Sequence, residues 1–478
     1  MTATLVPSQA VVEHVSTLIG FDTVSRNSNL QLIDCAAGLL ESGGAVVRRD
    51  FNHDRSKANL IATFGQGADG IVLSGHSDVV PVDGQRWSSD PFRAQVRDGR
   101  LYGRGACDMK GFIGVVLAQA ATLKGRTLRE PVHIALSHDE EAGCLGIPGL
   151  LAHMHAAGIR PCGCVVGEPT SMEVVSAHKG GRIYSCRVTG CAAHSSLTPK
   201  GVNAIEYASR LITHIQDLAE AESSQGQRIE SFDVPFSTIS TNTISGGNGR
   251  NIIPAHCDFS FEYRYLPGAD PDRFIQSVER YARDVVVPKM QARHPSADIE
   301  FQCDGNIPAL DSDANEALQA LARELLGSDI SGHVAYGTEA SFFQQMGTPA
   351  SSVARVRSNR HTRLMNMCRS SSWRCASGSS LVYLIPSRPE GWRCPLAGAS
   401  VRLPFLQRNE WACVWNPQAS GAPKMAVPQP RQAPWSRWCT PIFGVALIWA
   451  NGVPVIACSI MRSPTNLAVR VCLSGKRC

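Results

Sequence analysis

Three short apolar runs in the first 180 residues each stop abruptly at side chains able to bind metals or move protons. Residues 70–77 carry Gly75-His76-Ser77-Asp78 at their end, and residues 132–136 run into Ser137-His138-Asp139-Glu140-Glu141. Residues 163–167 lead into Glu168-Pro169-Thr170. Apolar runs this short and sharply bounded read as buried strands. Strands apolar on both faces must be covered by helices on both sides, which points to an α/β layering with a largely parallel sheet. The polar clusters then fall where strands end.

Between these runs the spacing turns helical. It predicts helices over 11–19 and 111–123, and strands over 59–64, 70–77, 132–137 and 163–167. Residues 181–303 have a different rhythm: strand 182–189, helix 204–220, strands 237–245 and 258–265, helix 272–286, and a last strand near 298–302. That order is the split unit of a ferredoxin-like α+β sandwich, expected here as an inserted lid or dimerisation domain. Residues 314–326 return to a helix that rejoins the first unit. The expected division is a catalytic domain in two parts, 1–180 and 304–350, a lid domain over 181–303, and an aberrant tail over 351–478.

Composition separates that tail. The chain has 478 residues and a formal net charge of +5, yet residues 1–350 hold 29 Lys+Arg against 39 Asp+Glu. Residues 351–478 hold 17 Lys+Arg against only Glu390 and Glu410, and they carry seven of the eight Trp. One folded enzyme rarely changes composition so sharply, so the parts need separate readings. With 43% hydrophobic and 18% charged residues, the whole is neither collagen-like nor wholly disordered. Nine of the 17 Cys are scattered through the first 350 residues without a framework of spacings, and no charged-then-apolar leader opens the sequence. The expectation is a reducing, cytoplasmic compartment with inert thiols. Cys162-Gly163-Cys164 is too tight for a zinc ribbon. The apolar stretch 441–461 is broken by Gly444, Asn451, Gly452 and Pro454, a poor spanning helix, so no membrane partner is expected.

Four stretches carry the chemistry, and each also has an ordinary reading. His76 can offer a ring nitrogen to a metal while Asp78 fixes the other nitrogen, or the pair is a turn histidine with a capping aspartate. In the loop Gly103-Arg104-Gly105-Ala106-Cys107-Asp108-Met109-Lys110-Gly111, Asp108 could bridge two cations or simply cap a helix. The carboxylates after residue 136 repel one another unless cations neutralise them. Glu168 is another carboxylate just past a strand. Singly, acidic loop residues are usually solvated. Together, six carboxylates and two His in four stretches of one α/β unit favour a metal site.

The segments VLSGHSDVVPVDGQRWSSDPF, GRLYGRGACDMKGF, SHDEEAG, GEPT and GCAAHSS resemble the dinuclear zinc deacetylase, desuccinylase and aminoacylase superfamily. Residues 79–92, residues 102–112 and Tyr336-Gly337-Thr338-Glu339-Ala340 are most similar to its acetylornithine deacetylase branch. The resemblance runs from about residue 5 to residue 350 with the motifs in order. It implies that His76, Asp108 and Glu168 ligate one zinc, and that Asp108 bridges to a second zinc held by Glu141. It implies that Glu140 is the general base, taking a proton from the attacking water and passing it to the departing amine, with Asp78 orienting His76. His194 corresponds to a lid histidine that helps stabilise the oxyanion, in some relatives across a dimer interface. Asn251 and Arg264 match positions near the substrate carboxylate.

The implied activity is metal-dependent hydrolysis of N-acetyl-L-ornithine to acetate and L-ornithine, within arginine biosynthesis, with two Zn2+ per subunit or Co2+ in their place. The substrate is a small N-acyl amino acid, and the alternatives on the same site are a desuccinylase or an aminoacylase. An alternative of another class is a catalytically dead fold that still dimerises through the lid. A homodimer is expected, and no nucleic-acid partner, since the tail disperses its Arg among Pro and Trp without a nucleic-acid motif.

The resemblance breaks after residue 350. The superfamily completes its second metal site with a histidine inside a pattern like GPGS-x-x-x-AH-x-x-x-E, whereas residues 351–367 read SSVARVRSNRHTRLMNM. That string can be encoded with GC-rich codons which, grouped two bases later, translate as VGGPGSIEQAHPADEY, restoring the pattern. Out-of-frame reading of a GC-rich gene also yields Arg, Pro, Trp, Cys and Ser in place of Asp, Glu and Lys. Residues from about 351 onward therefore read as frame-shifted. His361 has the wrong neighbours for the lost ligand. The second metal is expected to be weakened, activity impaired, and the tail poorly packed against an open sheet.

Overall fold

The computed structural model describes residues 8–97, 100–326 and 331–353, together with the strands Ala446–Ala450 and Val453–Ala457. An eight-stranded sheet organises residues 46–353. From one edge the strands are Val46–Phe51, Ala58–Phe64, Val132–Ser137, Ile71–His76, Gly163–Val166, Ala350–Ser352, Val174–His178 and Ser331–Val334.

The sheet is mixed. Ile71–His76 runs parallel to both Val132–Ser137 and Gly163–Val166, the latter runs parallel to Ala350–Ser352, and Ser331–Val334 runs parallel to Val174–His178. Three ladders are antiparallel: Val46–Phe51 with Ala58–Phe64, Ala58–Phe64 with Val132–Ser137, and a single contact between Ala350–Ser352 and Val174–His178. The antiparallel edge follows from the short turn between residues 51 and 58, which leaves no length for the crossover that parallel pairing needs.

Alternation along the central strands explains why both faces are covered. Ile71 and Leu73 point into a core built with the helices Leu30–Ser42, Lys110–Ala120 and Glu316–Leu326, while Val72 points to the opposite core. That second core is filled by Ile147–Ala156 and Ala340–Gln345, including Leu150, Met154 and Phe343. Each fully buried Leu, Ile or Phe contributes roughly 1.5–3 kcal/mol, so these clusters hold the strand ends in fixed relation. Gly167, at the end of one strand, has no room for a side chain: a Cβ there would lie 2.1 Å from the Phe112 ring.

A second sheet of four antiparallel strands spans residues 180–307. Its order is Thr238–Gly246, His256–Tyr265, Gly180–Thr189, Asp298–Ile307. With Ala204–Gln225 and Arg273–Tyr281 packed on one face, this is the ferredoxin-like arrangement. Asn203 caps the long helix by accepting from the N–H groups of Ile205 and Glu206. The last strand extends to Ile307, past the residue 302 expected from the apolar pattern. The helix expected over 272–286 is interrupted by a π-turn at Ala282–Val286, after which Val287–Gln291 resumes it.

The nine cysteines before residue 351 carry reduced thiols, six of them buried. Among the described residues, no helix is long and apolar enough to cross a membrane. Within the apolar stretch 441–461, Ala446–Ala450 pairs antiparallel with Val453–Ala457. The expected loose packing of the tail, the open sheet and His361 lie outside the described residues.

Candidate metal centre

His76 ends its strand almost fully buried, and each ring nitrogen faces an aspartate. Nδ1 lies 3.0 Å from the carbonyl oxygen of Asp78 and 3.5 Å from its Oδ1, while Nε2 lies 2.9 Å from Asp108 Oδ1. Glu168 Oε1 is 4.0 Å from the same Nε2. Ligand atoms of His76, Asp108 and Glu168 lie within 4.8 Å of one another, a spacing that suits three donors around one divalent cation. The donor set is chemically apt: one imidazole and two carboxylates.

Three separate elements deliver these donors. His76 and Glu168 come from the ends of adjacent parallel strands. Asp108 comes from the loop before the helix Lys110–Ala120, where Gly105 takes a φ of 78° that favours glycine. The Asp108–Met109 peptide is cis, and the Met109 sulfur accepts the backbone N–H of His76 at 3.3 Å.

Asp78 ties the cluster to the next strand end. Its carboxylate accepts the backbone N–H of Glu140 at 3.0 Å and of Glu141 at 3.2 Å, and the Ser25 hydroxyl at 2.6 Å. Burial pushes this carboxyl up, but the bonds from His76, Ser25 and Glu140 outweigh burial and hold it at about 2. It is therefore an anion at neutral pH and keeps Nδ1 of His76 protonated, which leaves Nε2 free to ligate.

The remaining carboxyls repel one another. Burial, helped by the Asp108 carboxylate and opposed by His76, raises Glu140 to about 7 and Glu141 to about 8, and burial and Asp108 also raise Glu168 well above its usual range. Burial would lower His76, but the carboxylates around it raise it instead. Such mutual displacement marks a site arranged for positive charge. Glu141 lies outside the three-donor group, although it interacts electrostatically with Asp108.

The three residues on the small sheet stand apart. His194 pairs with Ile252 across a short antiparallel bridge, next to Asn251, whose carbonyl accepts from Ser195 N at 2.9 Å. His194 is exposed, and its Nδ1 is 2.8 Å from Ser196 Oγ. Arg264 forms an ion pair with Glu262 on its own strand. Among the described residues, none of the three hydrogen-bonds or ion-pairs with the metal-ligand group.

Other residues at the site escaped sequence reasoning. Ser25 and Lys57 reach it from 53 and 82 positions away from their partners Asp78 and Asp139, a separation no local pattern signals. Glu339 is fully buried beside Ser137, its two oxygens lacking well-formed hydrogen bonds, and burial raises it to about 8. The motif 336–340 was visible in the sequence, but not that its carboxyl turns inward.

The profile of peptidase family M20/M25/M40 matches residues 72–363, the span that holds His76, Asp108, Glu140, Glu141 and Glu168. The chain belongs to that family. It is a metallohydrolase of amide bonds. An acetylornithine deacetylase of Proteus mirabilis is 33% identical over 326 residues, covering 68% of this chain and 82% of that protein. A Staphylococcus aureus tripeptidase structure aligns at a TM-score of 0.58 and 18% identity, covering 76% of this chain and 93% of that one. A dinuclear metal-binding peptidase of Bacillus subtilis aligns at 0.50 and 15%, covering 75% and 92%. These likenesses establish the α/β fold with its mixed, largely parallel sheet.

Proposed function

We propose that the chain hydrolyses the amide bond of N-acetyl-L-ornithine, giving acetate and L-ornithine, with divalent metal ions held by His76, Asp108, Glu168 and Glu141. The convergence of His76, Asp108 and Glu168 in one buried cluster carries this reading. The substrate is drawn from the 33% identical deacetylase.

When bound, a divalent ion of zinc type polarises the scissile carbonyl and makes a nearby water more acidic. His76, Asp108 and Glu168 would hold one ion, and Asp108 with Glu141 a second. Glu140 acts as the general base: its carboxyl, raised toward neutrality, accepts a proton from the attacking water and returns it to the amine as the C–N bond breaks. Asp78 fixes His76 and the backbone of Glu140 together, so base and ligand keep one geometry. His194, Asn251 and Arg264 line the substrate side, and reach it when the small sheet closes or a second subunit contributes it.

The chain is read as a cytoplasmic homodimer associating through the small sheet, whose edge strand Thr238–Gly246 is largely exposed. Residues from about 351 are read as out of frame, which removes the histidine that completes the second position. That reading is supported by the change of composition after residue 350. Incubating the purified chain with N-acetyl-L-ornithine, N-succinyl and N-acyl analogues, with and without added Zn2+, tests the assignment. Metal-dependent release of ornithine supports it. Preference for a succinylated substrate moves it to a desuccinylase, and a stable dimer that binds no metal and turns over nothing leaves a dead fold.

A further inference from the structure

We propose that Lys57 is a positioning residue, a cationic clamp that sets the turn carrying Glu140 and Glu141 against Asp78. The turn needs fixing from outside. Between His138 and Gly146 it closes on itself through Leu145 N to Asp139 O at 2.9 Å and Gly146 N to His138 O at 3.1 Å. Those bonds define its shape but not its place. Asp139, immediately before Glu140, adopts a φ of 56°, a left-handed conformation that few residues besides glycine, asparagine and aspartate take. Such a residue persists only where its surroundings hold it.

Lys57 supplies that hold. It sits just before the strand Ala58–Phe64, and its Nζ lies 2.5 Å from Asp139 Oδ1. The same ammonium donates to the Ser25 carbonyl. Ser25 Oγ in turn donates to Asp78 Oδ2 at 2.6 Å, and Asp78 accepts from Glu140 and Glu141. One cation thus touches both ends of the turn's anchorage: directly through Asp139, and through Ser25 to Asp78. The other Asp139 oxygen faces His138 Nδ1 at 3.0 Å, so the carboxylate is held on two sides. Lys57 and Asp139 side chains are only 14% and 11% exposed, which makes the pair directional rather than a loose surface contact. Asn59, two residues on, secures the base of the same turn by accepting from His138 N at 3.2 Å and donating to Gly146 O at 3.0 Å.

The inference deepens the proposed function, since it gives the general base and a ligand their shared support. The test reads the turn itself and does not depend on turnover. Hydrogen exchange of the segment 138–146 is compared in the full chain and in Lys57→Met, Lys57→Arg and Asp139→Asn, the last keeping a residue type that tolerates the left-handed region. Exchange in that segment should rise about ten- to a hundredfold in Lys57→Met and Asp139→Asn, the range expected for a lost charge-assisted hydrogen bond, and stay near normal in Lys57→Arg. Strands Ile71–His76 and Gly163–Val166 should not change. In hydrolysis assays kcat should fall in the first two variants with KM little altered. Unchanged exchange at 138–146 overturns the clamp. So does a uniform rise across the sheet, which marks general destabilisation. A local rise in these variants, when the parent chain itself hydrolyses nothing, leaves the clamp standing and defeats the proposed function.

Discussion

Asp78 Oδ1 accepts the backbone N–H of Glu140 at 3.0 Å, joining residues 62 positions apart at the ends of neighbouring parallel strands. The bond couples the orientation of His76 to the location of Glu140, because the same aspartate faces the imidazole. Replacing Asp78 with Ala should therefore disturb metal affinity and turnover together. Metal titration and kinetics on one preparation check this; normal affinity with lost turnover would show that His76 is oriented by other groups.

Glu140→Gln retains shape and hydrogen bonding but cannot accept the proton. It should keep metal binding and lose about 10²–10⁴-fold in turnover, the usual contribution of a general base. Metal analysis beside kcat makes the comparison. Activity near that of the parent would shift the base to another carboxyl.

Asp108→Ala separates two roles. A bridging ligand takes occupancy at both metal positions with it, whereas a helix cap would cost only about 1 kcal/mol of stability. Among the described residues the helix Lys110–Ala120 has Met109 in the cap position and no side-chain cap bond, which favours the ligand role. Equilibrium dialysis showing two ions in the variant would contradict it.

Glu339 gives a pH signature. Burial raises its folded value to about 8 from 4.5, so the folded chain binds this proton more tightly than the unfolded one. Its contribution to stability is full below about pH 4.5 and is lost as pH rises through about 8. Glu339→Gln should flatten that fall: little change in urea midpoint at pH 5, and a higher midpoint than the parent at pH 8.5. An equal shift at both pH values would mean that the carboxyl is not protonated in the folded state.

Much of this was legible in the sequence because the site residues sit at the ends of apolar runs. The strands ending at His76, Ser137 and Val166, and the helix after Met109, announce themselves by pattern. The strands Val46–Phe51 and Ser331–Val334 lie at the two edges of the sheet and lack a clean alternation, whereas helix Leu30–Ser42, whose buried Leu32, Ile33, Ala36, Ala37 and Leu40 follow a helical period, and the buried strand Val174–His178 were legible but not anticipated. The antiparallel ladders came from loop length rather than side-chain pattern. Lys57, Ser25 and the inward carboxyl of Glu339 depend on tertiary contacts that spacing does not encode.

The most direct test of the central claim is zinc-dependent hydrolysis of N-acetyl-L-ornithine by the metal-stripped chain, measured beside His76→Ala with bound zinc counted in both. One ion should be held firmly and a second weakly, ornithine release should be slow and grow with added zinc, and both firm binding and release should be lost in His76→Ala. Zinc binding and turnover that survive in His76→Ala would contradict the claim.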